Sequence, residues 1–400
     1  MPETPATPAS IQSLASQHVC HAEQATLRDP RCGLESRALQ VIGLVGGGTM
    51  GSGIAVACLL SDCKVVMVVR SAAACDLARS RIESILQNSL QRGLINAERH
   101  AMLLAACTVT ANPAELAAAH LVIESVSEDM ETKKQVFSML DDVTAAETVL
   151  ASNTSYLDIN EIAREVSDPT RVIGMHFFSP AYIMKLLEII VPDHVADDVV
   201  ATAATLGSKL GKRCVLAGVG DGFIGNRILA AYRQQADYLL ENGAMPQDID
   251  QAMLDFGFPM GLYAMQDLAG LDIGWARRKN LLAAGALAER YTEIADTLCK
   301  MQRYGRKTGA GYYRYVDGRA QVDETVEALI VARRQREGVS AQTFSAQEIM
   351  RRILTSMQTE AQAVLAEGVA ASADDIDVVM VNGYGFPRWR GGPMYMLRDN

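Results

Sequence analysis

The chain has 400 residues, of which 49% are hydrophobic, and its formal net charge at pH 7 is −10. This length exceeds that of an ordinary single domain and predicts two or three domains with a sizeable buried core. The acidic balance argues against a nucleic-acid partner, and no apolar run reaches the ~18 residues that a membrane-spanning helix requires.

Residues 1–37 are rich in Ala, Pro, Ser and Thr, and we interpret them as a flexible or loosely docked extension. His18, Cys20 and His21 lie in this segment, but no second pair of ligands follows, so no metal site is expected. The N-terminus lacks the regions of a secretory signal, and the last residues are not a peroxisomal address. Because the eight cysteines are scattered singly, we expect a reducing, cytoplasmic location.

From residue 38 onward, apolar strands alternate with helical segments. The predicted strands are LQVIGLV, KVVMVV, HLVIESV, TVLASNTS and RVIGMHFF, and helical segments lie between them, including a long one over about 73–104. Such alternation predicts parallel pairing with right-handed crossovers. Residues 38–218 are therefore predicted to form a doubly wound α/β domain of the Rossmann type.

The rest of the chain is predicted to be all-α and contains an internal repeat. The segment RILAAYRQQADYLLENG, beginning at Arg227, resembles RILTSMQTEAQAVLAEG, beginning at Arg352, and both continue through Asp-Ile-Asp to Gly-Phe-Pro. Because turn residues match as well as apolar ones, we interpret the segments as copies of one helical unit. The predicted copies span 219–320 and 321–400, with one packed on the other.

The first strand leads into the glycine-rich turn VGGGTMGSG. Gly46, Gly48 and Gly51 form a G-x-G-x-x-G pattern between a strand and a helix. The first glycine permits a tight turn, the second lets the backbone approach a pyrophosphate, and the third lets the helix pack closely on the strand. Together with Thr49 and Met50, which begin the helix, they are predicted to bind a dinucleotide.

The strand after this turn ends in Val69 and Arg70. In dinucleotide-binding folds an acid at this point grips the adenosine ribose and disfavours a 2′-phosphate. The acid is missing here, and Arg70 is able either to stack on adenine or to bind a phosphate. The residues therefore leave the choice between NAD and NADP open and predict weakened discrimination between them.

Two further residues indicate acid–base chemistry. His176 ends a predicted strand at the carboxyl edge of the sheet, and Glu188 lies in the apolar run KLLEII. Alone, each residue type at such a place usually serves packing or faces water. As a pair they suit a dehydrogenase that acts on an alcohol, since the carboxylate fixes the tautomer of the basic imidazole and stabilises the imidazolium.

Several motifs resemble those of the L-3-hydroxyacyl-CoA dehydrogenase family: GGGTMGSGIA, SNTSYL, HFFSPAYIMKLLE, GFIGNRIL, GRKTGAGYYRY and GYGFPRWRGGPM. The likeness covers residues 39–400 and is strongest to the dehydrogenase half of the multifunctional fatty-acid oxidation proteins, including the peroxisomal bifunctional enzyme. It implies an enzyme that oxidises the 3-hydroxyl of an acyl-CoA to a keto group with hydride transfer to NAD, or catalyses the reverse reduction.

The resemblance also implies roles for individual residues. His176 matches the family's general base and Glu188 matches the partner of that base. Ser155 matches a residue that hydrogen-bonds the substrate oxygen, and Asn226 matches one that polarises the substrate. Glu124 and Lys133 match residues near the nicotinamide side of the cofactor, and Asn153, in the same turn as Ser155, is a further candidate for binding the cofactor. Each of the three could equally be a solvated charge or a turn residue.

Other functions stay open at this point. One is a hydroxy-acid dehydrogenase acting on a substrate without CoA, and another is a catalytically silent dinucleotide-binding protein. The motif HFFSPAYIMKLLE favours the acyl-CoA substrate, and the complete set of four catalytic positions argues against a silent protein. Short relatives dimerise through a helical domain, and a duplicated helical region can imitate that contact, so we expect a monomer with an internal pseudo-dimer, or a homodimer.

Overall fold

The computed structural model describes residues 8–283, 285 and 290–398. The strands are β1 (Val41–Val45), β2 (Lys64–Val68), β3 (Cys107–Thr110), β4 (Leu121–Glu124), β5 (Val149–Ser152), β6 (Val172–Phe177), β7 (Leu186–Val191), β8 (Arg213–Gly218), β9 (Arg314–Val316) and β10 (Arg319–Gln321). The helices are α1 (Pro8–Ala25), α2 (Thr49–Leu60), α3 (Ala72–Gln91), α4 (Ala97–Ala105), α5 (Met130–Val143), α6 (Ile159–Ala163), α7 (Asp197–Lys209), α8 (Gly225–Asn242), α9 (Pro246–Phe256), α10 (Leu262–Ala269), α11 (Leu271–Ala283), α12 (Ile294–Lys300), α13 (Glu324–Arg336), α14 (Ala346–Ala366) and α15 (Ala373–Gly383). Within these residues, none of the helices has the length and apolar character needed to cross a membrane.

The main sheet has the strand order β3-β2-β1-β4-β5-β6-β7-β8, and neighbours are parallel from β3 to β6. All residues of β4, β5 and β6 are buried, as expected for strands that are covered on both faces. The predicted Rossmann-type domain is confirmed. Its strand order reverses between β1 and β4, and ligands of such sheets bind at the carboxyl ends of the strands beside this switch point.

Beyond β6 the sheet departs from the predicted parallel alternation. β7 pairs antiparallel with β6, and β8 runs parallel to β7. The connection 178–185 is too short for a crossover helix, which needs about a dozen residues, so the chain returns as a hairpin. The predicted helix over 73–104 is divided into α3 and α4, because Gly93 adopts a φ of 70° between them.

Of the segment predicted as a flexible or loosely docked extension, residues 8–37 are docked on the fold. Residues 1–7 lie outside the described residues, but α1 follows and contacts α15. His18 Nε2 lies 3.0 Å from Asp377 Oδ2, and Glu23 accepts two hydrogen bonds from Arg388 at 2.6 and 2.9 Å. Over residues 14–25, where the side chains of α1 are described, the buried ones share one face of the helix and are Ala15, Val19 and Ala22. This segment is therefore a docked helix.

The internal repeat is present as two helix pairs, α8 with α9 and α14 with α15. In the first pair, Asp250 accepts two backbone N–H bonds, at 2.8 and 2.9 Å, and a third bond from the Tyr313 hydroxyl at 2.8 Å. In the second pair, Asp377 accepts two backbone N–H bonds at 2.8 and 3.0 Å, and its third partner is His18. Burial raises the pKa of both carboxyls. His18 of α1 is thus the third hydrogen-bond partner of Asp377 in the second copy, as the Tyr313 hydroxyl is the third partner of Asp250 in the first.

The compact units of the chain differ from the predicted domain boundaries. One unit contains the residues up to Arg227 together with Ala361–Tyr384 and the residues from Arg388 onward. The other contains Ile228–Glu360 and Gly385–Pro387. The segment predicted as a second helical copy is divided because its last part adds to the sheet domain, where Gly218 N donates to Val369 O at 2.8 Å. The second unit also holds the short antiparallel hairpin of β9 and β10, which the all-α prediction did not include.

Replacing His18 with alanine tests the docking of α1. The change leaves the buried Asp377 without one of its three hydrogen-bond donors, so we expect the free energy of unfolding to fall by about 1–3 kcal/mol. His21 lies on the same helix but is exposed, and its replacement should change the free energy by less than about 0.5 kcal/mol. Urea unfolding monitored by circular dichroism gives both values. Equal effects of the two variants would contradict the docking of α1.

Candidate active site

The glycine turn joins β1 to α2 at the carboxyl edge of the sheet. Gly46 has a φ of +106°, a left-handed conformation that favours glycine, and its N–H donates to Val68 O at 2.9 Å. A Cβ on Gly51 would collide with the carbonyl oxygen of Gly46. The first and third glycines of the motif are therefore required by the backbone itself, as the sequence predicted.

The second glycine leaves room for a ligand. Gly48 is the N-cap residue of α2, no side chain caps the helix, and a Cβ on Gly48 would meet nothing within 4 Å. Gly48 and Thr49 are exposed, and the first-turn N–H groups of Thr49, Met50 and Gly51 lack intrahelical acceptors. This open N-terminus fits the pyrophosphate of a dinucleotide, whose negative charge is stabilised there.

Glu124 ends β4 beside the switch point and belongs to a buried polar network. One carboxylate oxygen accepts Lys133 Nζ and Val126 N, both at 2.7 Å, and the other accepts the Ser152 hydroxyl at 2.6 Å. Glu124 is fully buried and Lys133 is 1% exposed, so the ion pair depends on these additional bonds. Glu124 and Lys133, two of the predicted cofactor residues, therefore contact each other, and the hydrogen bonds of Glu124 join the ends of β4 and β5.

His176 and Glu188 form a buried hydrogen-bonded pair. The antiparallel register of β6 and β7 sets the two residues opposite each other, and His176 Nδ1 lies 2.7 Å from Glu188 Oε2. The relative exposures are 4% and 0%. Among the described residues, Nε2 of His176 has no hydrogen-bond partner, so it is available as a base. The predicted pairing is thus produced by a hairpin that the sequence did not reveal.

The second oxygen of Glu188 connects this pair to α8. It accepts the N–H groups of Ile224 at 3.2 Å and Gly225 at 3.0 Å. The next residue is Asn226, whose Nδ2 lies 3.4 Å from Ser155 O and whose Oδ1 accepts the Tyr384 hydroxyl at 2.9 Å. The four predicted catalytic residues are therefore linked through one set of contacts.

Ser155 lies in the turn after β5, and Glu128 holds that turn in place. One oxygen of Glu128 accepts the Thr154 hydroxyl at 2.6 Å, Ser155 N at 2.7 Å and Tyr156 N at 3.1 Å. The Ser155 hydroxyl has no partner among the described residues and is free to bind a ligand. Asn153, at the start of the turn, accepts the N–H of Phe177 at 2.8 Å and so joins the ends of β5 and β6.

The β6–β7 connection is supported by a buried lysine. Lys212 Nζ donates to the carbonyls of Ala181 and Met184, the second at 2.8 Å. Burial, reinforced by the charge of Lys185, lowers the pKa of Lys212 to about 8. These bonds hold the connection that carries His176 and Glu188 on its two strands.

Val69 and Arg70 lie apart from the four catalytic positions. They follow β2, on the other side of the switch point, and among the described residues no hydrogen bond or ion pair joins them to His176 or Ser155. Val69 is buried and Arg70 is exposed. The predicted residues therefore fall into two groups, one after β5 and β6 and the other after β2.

Sequence reasoning missed three residues of this site: Glu128, Lys212 and Tyr384. Glu128 directly precedes the helix N-cap Asp129, but its hydrogen-bond donors lie 26–28 residues further along the chain, so the sequence held no local signal for its role. Tyr384 had none, because its partner Asn226 is 158 residues away in the sequence. Long-range hydrogen bonds of this kind follow from the fold alone.

Comparisons with known proteins agree with this geometry. A family model described as "3-hydroxyacyl-CoA dehydrogenase, NAD binding domain" matches residues 41–230, and one described as "3-hydroxyacyl-CoA dehydrogenase, C-terminal domain" matches residues 222–315. The human peroxisomal bifunctional enzyme is 39% identical over 374 residues, which are 90% of this chain and 52% of that protein. The chain spans about half the length of the curated relatives it matches.

Solved structures show the same likeness. The 3-hydroxybutyryl-CoA dehydrogenase of Escherichia coli aligns with a TM-score of 0.76 at 27% identity, covering 90% of this chain and 92% of that one. The (S)-3-hydroxybutyryl-CoA dehydrogenase of Ralstonia eutropha aligns with a TM-score of 0.65 at 32% identity, covering 70% of this chain and 100% of that one.

Proposed function

Since this chain belongs to the 3-hydroxyacyl-CoA dehydrogenase family, we propose that it interconverts an L-3-hydroxyacyl-CoA and the 3-ketoacyl-CoA with NAD as cofactor. The observation that carries the proposal is the buried His176–Glu188 pair, with a free imidazole nitrogen at the carboxyl edge of a dinucleotide-binding sheet. The open glycine turn fits the cofactor, and the acyl-CoA is the expected small-molecule partner.

NAD, when bound, supplies the acceptor for the hydride that leaves the substrate. His176 Nε2 takes the proton of the 3-hydroxyl, while Nδ1–H donates to Glu188 and keeps the second nitrogen unprotonated. The buried carboxylate then stabilises the imidazolium. In the reverse direction the imidazolium returns its proton to the substrate oxygen.

The substrate oxygen needs donors that are already in place when its charge changes. The Ser155 hydroxyl is free, and the Asn226 amide is oriented by Tyr384, which donates to Oδ1 and leaves Nδ2 as the donor. We assign the binding of the reacting oxygen to these two groups. Glu124, Lys133 and Asn153 are assigned to the cofactor's nicotinamide side, where their network fixes the strand ends.

The substrate class is tested by comparing L-3-hydroxybutyryl-CoA with free 3-hydroxybutyrate and other free hydroxy acids at a fixed NAD concentration. We expect kcat/KM for the thioester to exceed that for every free acid by at least about 100-fold. The reason is that the binding energy of the CoA part stabilises the transition state at the reacting carbon of the acyl chain. Higher values for a free acid would favour the hydroxy-acid dehydrogenase. Binding of NADH without turnover of any substrate would favour the silent protein.

Glu128 provides a test of the turn that carries Ser155. Replacing Glu128 with alanine removes the acceptor of three hydrogen bonds, and we expect kcat to fall by about 100-fold with little change in KM or in thermal stability. The variant E128Q keeps one acceptor oxygen and should have a kcat close to that of the wild type. Glu131, an exposed acid nearby, is the control, and E131A should behave as wild type. If the free energy of unfolding of E128A fell enough to account for its loss of rate, Glu128 would have a merely structural role.

We also propose that the chain is a monomer in which the two helical copies form an internal pseudo-dimer. The Ser356 hydroxyl of α14 donates to Ala231 O of α8 at 3.1 Å, which supports packing of one copy on the other. Light scattering after size-exclusion chromatography tests this, and a mass of two chains would favour the homodimer.

A cytoplasmic location stays our proposal, and it is supported by eight cysteines that are all free thiols. Several of the relatives are peroxisomal by name, and that compartment is the competing outcome. Imaging of a fluorescent fusion in the native cell distinguishes the two.

A further inference from the structure

The nucleotide end of the site lacks the acid that selects NAD. In dinucleotide folds, the carboxylate at the end of the second strand binds the ribose hydroxyls and repels a 2′-phosphate. Val69 occupies this position here. A Cβ placed on Gly47 would lie 2.9 Å from Val69 Cγ1, so the valine side chain lies directly against the glycine turn. An apolar group therefore occupies the place from which a carboxylate would act.

Positive charge replaces the missing acid. Arg81 of α3 reaches the same glycine turn, where its Nη1 donates to Gly47 O at 2.8 Å. Arg70 follows Val69 directly and is exposed. In the part of the chain that the structure describes, neither guanidinium forms an ion pair, whereas the nearby acid Asp76 is paired with Arg79 at 3.1 Å. Two uncompensated guanidinium groups thus flank the end of β2.

A hydroxyl completes this group of residues. Ser71 is the N-cap of α3, and its oxygen accepts the N–H of Ala74 at 3.3 Å. The hydroxyl hydrogen is not used by this bond and can be donated to an anion. Arginine is suited to phosphate because its planar fork gives two parallel charge-assisted hydrogen bonds.

We propose that the adenosine end of the nucleotide site accepts a 2′-phosphate, held by Arg70 and Arg81 with Ser71, so that the chain binds NADP at least as tightly as NAD. This inference rests on the proposed function only in placing a dinucleotide on the glycine turn. The absence of a carboxylate removes the repulsion that excludes NADP, and the two arginines add attraction that NAD does not receive.

The test is a direct binding titration of NADH and NADPH, followed by nucleotide fluorescence without substrate. For the wild-type chain we expect a Kd for NADPH equal to or below that for NADH, with the NADPH value rising more steeply with salt. V69D places a carboxylate on the turn and should weaken NADPH binding by about 100-fold through like-charge repulsion. R70Q and R81Q should each weaken NADPH binding by about tenfold and change NADH binding little.

Arg92, at the other end of α3, provides a control with the same change of charge, and R92Q should leave both Kd values unchanged. The arginine variants keep the test decisive if V69D does not fold. A lower wild-type Kd for NADH than for NADPH would overturn this inference and leave the proposed function intact. Failure to bind either nucleotide would overturn both.

Discussion

Replacing His176 with alanine is expected to lower kcat for an L-3-hydroxyacyl-CoA by about 10³- to 10⁴-fold, the full contribution of a positioned general base. Its Nε2 is the free nitrogen of a ring whose other nitrogen is bound to Glu188, and the buried pair leaves water little access. Without the imidazole, the site loses the group to which we assign removal of the hydroxyl proton.

Steady-state kinetics in both directions measures this effect, and an NADH titration shows whether the nucleotide site is kept. We expect the Kd for NADH to stay within about threefold of wild type, since the glycine turn lies on β1 and α2. His194 is exposed and is the matched control, so H194A should retain the wild-type rate. If H176A kept its rate to within about tenfold, His176 would not be the base.

The glycine turn was predictable because each of its requirements is local. Gly46 requires a positive φ, Gly48 requires free space beside the backbone for a ligand, and Gly51 requires close contact with the Gly46 carbonyl. All three follow from a fixed spacing between a strand and a helix, and that spacing can be read from the sequence.

The sequence predicted that His176 and Glu188 act as a pair, but it did not predict the antiparallel pairing of strands that brings them together. The sequence pattern of alternating strands and helices suggested parallel neighbours throughout. The short connection 178–185 instead forms a hairpin, and its register alone places the two side chains opposite each other. A length of eight residues between two apolar runs was the signal, and it favours a hairpin over a crossover.

The docked helix α1 was missed for a different physical reason. Its buried face consists of small residues, Ala15, Val19 and Ala22, whose apolar periodicity is weak in the sequence. Its strongest contacts are with residues more than 350 positions away, such as Asp377 and Arg388. Such contacts have no local signature, so composition suggested flexibility where tertiary contacts impose a helix.

Replacing Glu188 with glutamine is the second change from which we expect a large effect, about 10³- to 10⁴-fold in kcat. The glutamate accepts hydrogen bonds with both oxygens, one from His176 and the other from the N–H groups of Ile224 and Gly225. An amide of the same shape has only one acceptor oxygen, so it cannot satisfy both sides.

The two backbone donors decide how the amide is oriented. If the glutamine oxygen accepts Ile224 N and Gly225 N, its NH2 group faces His176 Nδ1 and must donate to it. The imidazole proton then moves to Nε2, the nitrogen that has to take the substrate proton. The variant should therefore fold with the helix α8 in place, while His176 is held in the wrong tautomer and without a charge to stabilise the imidazolium.

Kinetics of E188Q, together with its thermal stability, measures this prediction, and E147Q on an exposed residue is the control. A stability within about 1 kcal/mol of wild type is expected, because removing a buried charge offsets the weaker hydrogen bond. The double variant H176A/E188Q should be little slower than H176A alone, since the carboxylate acts through the imidazole. Additive losses in the double variant would mean that Glu188 contributes independently of His176, for example by placing Asn226 through its bonds to the start of α8.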